Sequence, residues 1–413
     1  MMKKRMMVVC ALAGALLAAN GCDEEEACAP QSTWMGFERL TLPEGTLPLV
    51  SALPVPGTED EMLLLEILGV VRHVRIEGNT VSELGSFTIS LEDRCSLLSG
   101  AFDPDWETNR FLYIGLCAND TGSEIVRYTF DPPSYDAVVA SEQRIYLVDE
   151  PLATRPWHQV GSIGFFEDGS MWALFGEQLR SANAQDTTNE LGKILRIVPS
   201  RDPATGGATP HPDNPFFGHA VNSPNIWAWG VRSPFRGALD ASGRLWVGDV
   251  GENTWEEINI VPGIDAPGFE GVNLGWPTYE GRCTGLDCAN FVQPLVYWQH
   301  ADDCFVLQDE ETELTTKRLA YVGLQYQPRA TDRYEGRLEG RMIYGDMCAG
   351  WVRSVRADST TTPLEDRLDG HRPYISQWIQ GADDHLYVTT LGECEDPSRA
   401  VEPPGLWRVV VRD

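Results

Sequence analysis

The sequence predicts an all-β protein, a six-bladed β-propeller, on three observations. From about residue 40 the chain is rich in β-branched and aromatic residues, punctuated by its 39 glycines and 27 prolines, with no long amphipathic helical pattern. A two-strand phrase recurs six times, in which a polar turn leads to a short apolar strand, a loop and a strand carrying a basic residue. Finally, 42% of the 413 residues are hydrophobic, enough to fill the space between sheets that could not bury both faces alone.

The copies run in order along the chain. "EDEMLLLEILGVVRHVRI" surrounds Leu64 and "ETNRFLYIGLCANDTGSEIVRYTF" surrounds Leu112. "EDGSMWALFGEQL" is answered after a loop by "LGKILRIV", and "ASGRLWVGDVGENTWEEINIV" follows as the fourth copy. The last two are "LEGRMIYGDMCAGWVRSVRA" and "ADDHLYVTTLGECEDPSRAVEPPGLWRVVV". Asp-Gly and similar pairs make tight hairpin turns, and the alternation after them buries one face of a strand. A β-sandwich would repeat such turns, but not the whole two-strand phrase.

The N-terminus reads as an address. Lys3, Lys4 and Arg5 precede an apolar run from Met6 to Ala19, too short to span a bilayer, and Asn20-Gly21 leads into Cys22. Residues 1–21 are expected to be a lipoprotein signal peptide cleaved after Gly21, with Cys22 lipidated; ordinary secretory cleavage near Ala19 is the alternative. The protein is then exported, faces the periplasm or cell exterior, and touches a membrane only through its lipid anchor. Residues 22–39, opening on "DEEEACAP", read as an acidic tether, and residues 40–413 as the propeller.

A net charge of −29 excludes a nucleic-acid partner, since phosphates would be repelled before any groove contact formed. Once Cys10 leaves with the signal and Cys22 takes the lipid, eight cysteines remain, an even number in an exported chain. Cys283 and Cys288 share one glycine-containing loop and are expected to pair. Cys95 with Cys117, Cys304 with Cys348 and Cys28 with Cys394 complete the expected set, although spacing leaves the connectivity open. No CxxC pair or histidine cluster favours zinc.

The most specific signal lies in five phrases: "WHQVGSIGFFEDGSMWALFGE", "LGKILRI", "WGVRSPFRGALDASGRLWVGDVGENTWEEINIV", "NLGWPTYEG" and "YGDMCAGWV". Together they resemble the quinoprotein sugar dehydrogenases, the soluble glucose/sorbosone dehydrogenase family, and lean toward its sorbosone-type and hedgehog-interacting-protein-like branch. The resemblance implies a sugar substrate, pyrroloquinoline quinone (PQQ) and calcium as cofactors, and an external electron acceptor. It implies that His158 is the base that removes the sugar's hydroxyl proton, a task suited to a side chain that titrates near neutral pH. Glu177 stands where the family has Asp, to orient the histidine. Arg232 matches the arginine beside the quinone, Ser233 replaces a neighbouring Asn, and Gln159 adjoins the base. Gly251 matches a calcium position, with Glu252, Asp249 and Glu257 as further oxygen donors; the alternative is that these acids cap strand ends and face water.

Other family positions differ. A cofactor-holding lysine falls on Cys348, two C-terminal arginines fall on Tyr374 and Ser376, and an early glutamine falls on Arg94. Trp157, Trp227, Trp229 and Trp276 lie in phrases near the expected mouth, where indoles stack on sugars or simply fill the core. A second function class is therefore also expected from the sequence, a propeller that binds a saccharide or protein partner without turnover.

Overall fold

A computed structural model of the chain describes residues 33–118, 122–149, 157–263, 269–284, 286–300, 318–356, 366–392 and 403–412. The signal peptide, Cys22, Cys28, Cys304 and Cys394 lie outside the described residues.

Six antiparallel sheets form the six blades of a propeller. Blade 1 comprises Leu49–Pro54, Glu61–Glu66, Val70–Glu77 and Thr80–Thr88, and blade 2 Arg94–Phe102, Phe111–Ala118, Gly122–Thr129 and Gln143–Asp149. Blade 3 comprises Val160–Phe165, Met171–Phe175, Lys193–Pro199 and Ile226–Trp229; blade 4 Pro234–Leu239, Leu245–Asp249, Trp255–Val261 and Val296–Gln299. Blade 5 comprises Ala320–Gln325, Arg341–Asp346, Trp351–Arg356 and Arg367–His371. Blade 6 is built from Ile375–Gln380, Leu386–Thr390, Gly405–Val411 and, on its outer edge, Met35–Arg39.

That edge strand corrects the expected boundary of the tether. Residues 35–39 pair antiparallel with the last strand, Met35 opposite Val411 and Arg39 opposite Trp407. Met35 is buried, so the segment supplies apolar surface that the blade needs.

The core lies between neighbouring blades. Tyr113, Val160 and Phe175 pack between blades 2 and 3, Leu174, Trp227 and Val247 between blades 3 and 4, and Trp246, Val322 and Tyr344 between blades 4 and 5. Full burial of an aliphatic or aromatic side chain contributes about 1.5–3 kcal/mol, so each interface is a substantial adhesive layer.

The innermost strands line the axis, and Arg236 of blade 4 lies buried among them. Its Nε donates to the Ser376 carbonyl of blade 6 at 2.7 Å, and its Nη2 donates to Val50 of blade 1 at 2.9 Å and Leu98 of blade 2 at 3.2 Å. These partners are neutral carbonyls, and burial depresses the guanidinium to about 9.

Cys95 bonds to Cys117 across the first two strands of blade 2, and Cys283 bonds to Cys288, as expected. Cys348 is also disulfide-bonded. Between the third and fourth strands of blade 4 the chain leaves to form Val272–Asn273, which pairs in parallel with Ala228 and Trp229 at the edge of blade 3. This insert carries the "NLGWPTYEG" phrase across two blades.

Candidate active site

The innermost strands all begin at one mouth of the propeller, where the second strands end. One backbone bond recurs there: Gly176 N donates to Gln159 O at 3.1 Å, Val250 N to Ser233 O at 3.2 Å and Met347 N to Leu319 O at 2.9 Å. The residue just before each acceptor is His158, Arg232 and Arg318, so blades 3, 4 and 5 place a histidine and two arginines at equivalent positions.

His158 and Glu177 meet as the sequence predicts. His158 Nδ1 lies 2.6 Å from Glu177 Oε1, and the glutamate side chain is only 3% exposed. The extra methylene relative to aspartate is therefore accommodated. Gly176 makes room for this pairing, because a Cβ there would strike the His158 backbone. His158, Gln178 and Leu179 all adopt left-handed backbone angles, φ 56°, 55° and 59°, a concentration of strain of the kind found at working sites. His158 Nε2 has no hydrogen-bond partner among the described residues.

Blade 4 adjoins through Glu177 N, which donates to the Arg232 carbonyl at 2.9 Å. The Arg232 and Ser233 amides donate to the Asp249 carboxylate at 2.8–3.2 Å. The Arg232 guanidinium donates to the Val250 carbonyl at 3.1 Å and lies 5.6 Å from the Trp276 ring. Gln159 turns instead toward blade 2, its Oε1 accepting from Ser123 Oγ at 2.7 Å. Trp227 is core, stacked on Phe269, and Trp229 packs against Phe216; Trp157, half exposed, stands beside His158.

Of the four expected calcium donors, Asp249 and Glu257 face each other across neighbouring strands, and both are engaged by internal donors. Asp249 already accepts two backbone amides, and burial raises its carboxyl to about 7. Glu257 accepts from the Gly281 amide and from Asn259 Nδ2, and burial with the neighbouring Asp249 charge lifts it to about 8. Glu252 is exposed. Among the described residues no cluster of three acids, histidines or cysteines is placed to hold a metal. Asp249 and Glu257 brace strand ends from buried positions rather than facing water, and only Glu252 is exposed.

Two residues outside the expected set are integral to this region. Lys193 is fully buried and donates to the carbonyls of Asn183 and Leu191, both at 2.6 Å; burial lowers it to about 7 against the pull of Asp186 and Glu190. Glu280 accepts the amides of Glu252, Asn253, Thr254 and Trp255 on a single oxygen. The "YEG" of its phrase was the only sequence signal.

Residues 52–306 match the family model described as Glucose / Sorbosone dehydrogenase. The chain belongs to that family. Among curated relatives of this glucose/sorbosone dehydrogenase-family chain, the Arabidopsis thaliana HIPL1 protein is 26% identical over 272 residues, covering 56% of this chain and 36% of its own. Aldose sugar dehydrogenase YliI of Escherichia coli is 26% identical over 215 residues, covering 49% of this chain and 54% of its own. The match thus spans about half or less of these relatives' lengths. Among solved structures, the PQQ-bound aldose sugar dehydrogenase from Streptomyces coelicolor superposes with a TM-score of 0.66 at 19% identity, covering 93% of this chain and 99% of that one. This likeness establishes the shared fold.

Several buried polar atoms at the mouth have no protein partner: Glu177 Oε2, both amide atoms of Gln178, Arg232 Nε and Trp276 Nε1. A cation and an indole beside an oriented histidine suit a flat, anionic cofactor of the PQQ kind. Asp249 and Glu257 already accept from internal donors, which a cation would have to displace.

Proposed function

We propose that this family member is a PQQ-dependent dehydrogenase of aldoses or sorbosone-type sugars, passing electrons to an external acceptor. The observation that carries the reading is the 2.6 Å contact between His158 Nδ1 and the buried Glu177 carboxylate. Glu177 accepts a hydrogen bond from Nδ1–H and so fixes the tautomer in which Nε2 is the proton acceptor. His158 Nε2 takes the proton of the sugar's anomeric hydroxyl, and Glu177 steadies the imidazolium that results. As the anomeric carbon also gives up its hydrogen as hydride, it becomes a lactone carbonyl. PQQ, when bound, supplies the two-electron acceptor that the side chains lack. Arg232 offsets negative charge at the mouth, and the Trp157 face beside His158 offers stacking surface for a pyranose. The matched aldose sugar dehydrogenase and the quinoprotein glucose dehydrogenase B of Acinetobacter calcoaceticus support this reading by name. We further propose that residues 1–21 are a lipoprotein signal peptide and that Cys22 anchors the propeller outside the cytoplasm.

The test is an absorbance titration of the purified protein with PQQ, followed by dye reduction with a panel of aldoses and sugar aldehydes. Stoichiometric quinone binding with sugar-dependent reduction is the expected result. No binding at high quinone overturns the dehydrogenase reading and leaves a binding propeller, the class to which the matches with mouse and human hedgehog-interacting proteins would then direct attention.

A further inference from the structure

We infer that Glu280 is a positioning residue that sets the Arg232 guanidinium by fastening the turn beside it, an inference resting on Arg232 as the anion contact of the mouth. Glu280 Oε1 receives four successive amides, from Glu252 at 2.7 Å, Asn253 at 3.1 Å, Thr254 at 3.1 Å and Trp255 at 3.2 Å. Successive N–H groups aimed at one point form an anion-binding hollow, and here the chain fills it with its own carboxylate. Burial alone would raise the Glu280 carboxyl, but these four amides hold it below the ordinary range. The side chains of Glu252, Asn253 and Thr254 are exposed, Glu256 Oε1 accepts the Gly251 amide at 3.2 Å at the start of the turn, and Glu280 gathers the four amides that follow.

The turn begins at Gly251, where a Cβ would collide with the Trp255 carbonyl and with Glu280 itself. Immediately before it, the Val250 carbonyl accepts from Arg232 Nη1. Glu280 thereby fixes one anchor of the guanidinium through the turn. Four residues upstream in the same insert, Trp276 supplies the ring that lies 5.6 Å from Arg232 Cζ. One insert from blade 4 thus supplies both the ring near the arginine and the carboxylate that holds the turn. Glu257 locks the insert in turn by accepting the Gly281 amide.

Hydrogen–deuterium exchange and PQQ titration of the parent, Glu280→Ala and Glu280→Gln test this, with melting curves to confirm folding. In Glu280→Ala the amides of 252–255 should exchange faster and the quinone Kd should weaken by roughly 10–100-fold, as for other residues that orient a binding group. Glu280→Gln, which keeps an acceptor oxygen, should restore part of both. The pH midpoint of activity should not move. Unchanged exchange at 252–255, or faster exchange with an unchanged Kd, overturns the inference. Should the parent itself bind no quinone, the dehydrogenase reading fails, while exchange at 252–255 still decides whether Glu280 holds the turn.

Discussion

Arg236 of blade 4 and Ser376 of blade 6 are joined by a 2.7 Å hydrogen bond although blade 5 lies between them in the chain. The guanidinium makes this contact while also reaching blades 1 and 2, so one side chain ties together four innermost strands. Replacing it with Met keeps the length and removes the donors, which strands buried carbonyls. Arg236→Met is expected to destabilise the protein by about 2–5 kcal/mol, read as a lower urea midpoint. A variant as stable as the parent would mean that water or repacking satisfies those carbonyls.

At the mouth, His158→Ala is expected to retain PQQ binding while sugar-dependent dye reduction falls by roughly 10²–10⁴-fold. Glu177→Asp should also lose activity, because the shorter side chain withdraws from the 2.6 Å contact with Nδ1. Full activity in His158→Ala would remove this histidine from the chemistry.

Lys193 gives a pH-dependent stability whose sign is fixed. Its folded value of about 7 lies below its unfolded one, so between the two the unfolded chain holds more protons. Stability should therefore rise with pH from about 7 toward the ordinary lysine range near about 10.4, with the full penalty present below about 7. Urea midpoints of the parent and Lys193→Met, compared at about pH 6 and about pH 9, should shift toward the parent at the higher pH. A gap that does not vary with pH would show that the amine stays charged.

The Cys95–Cys117 bridge closes a segment with a sequence separation of 22. Loss of that restraint in the Cys95→Ser, Cys117→Ser double variant should cost about 3 kcal/mol, measurable by denaturant titration.

Because Asp249 and Glu257 are committed to internal donors, millimolar calcium is expected to leave the melting temperature of the apoprotein unchanged. Binding to the native state alone would raise it, and a rise of several degrees would show that these carboxylates exchange their partners for the ion.

Much of this architecture was legible in the sequence because a blade is a local object. Each turn and its two flanking strands lie in one stretch, so the six copies predict the six sheets. The His158–Glu177 pair was legible through the family resemblance, and its two residues flank one hairpin. What the sequence hid is non-local. Met35–Arg39 looks like the end of a polar tether until Gly405–Val411 lies beside it. Glu280 reads as one acid among many until the insert folds back onto residues 252–255. The engagement of the blade 4 acids was hidden in the same way: Asp249 and Glu257 face each other across neighbouring strands, and the amides of Arg232, Ser233 and Gly281 that hold them come from elsewhere in the chain. Arg236 looks like an ordinary strand cation, and its place at the axis follows only from closure of the ring.

The edge strand of blade 6 has a bearing on how the molecule is made. Blade 6 joins the first and last described strands, so Met35–Arg39 stays unpaired until Gly405–Val411 has been synthesised, on the order of half a minute after Met35 emerges. Through that interval the strand Gly405–Val411 has yet to appear and its partner waits with an unpaired edge. Completion of this blade is thus a wait-and-clasp process, and a chain lacking Gly405–Val411 would leave Met35–Arg39 and Leu386–Thr390 with unpaired, adhesive edges.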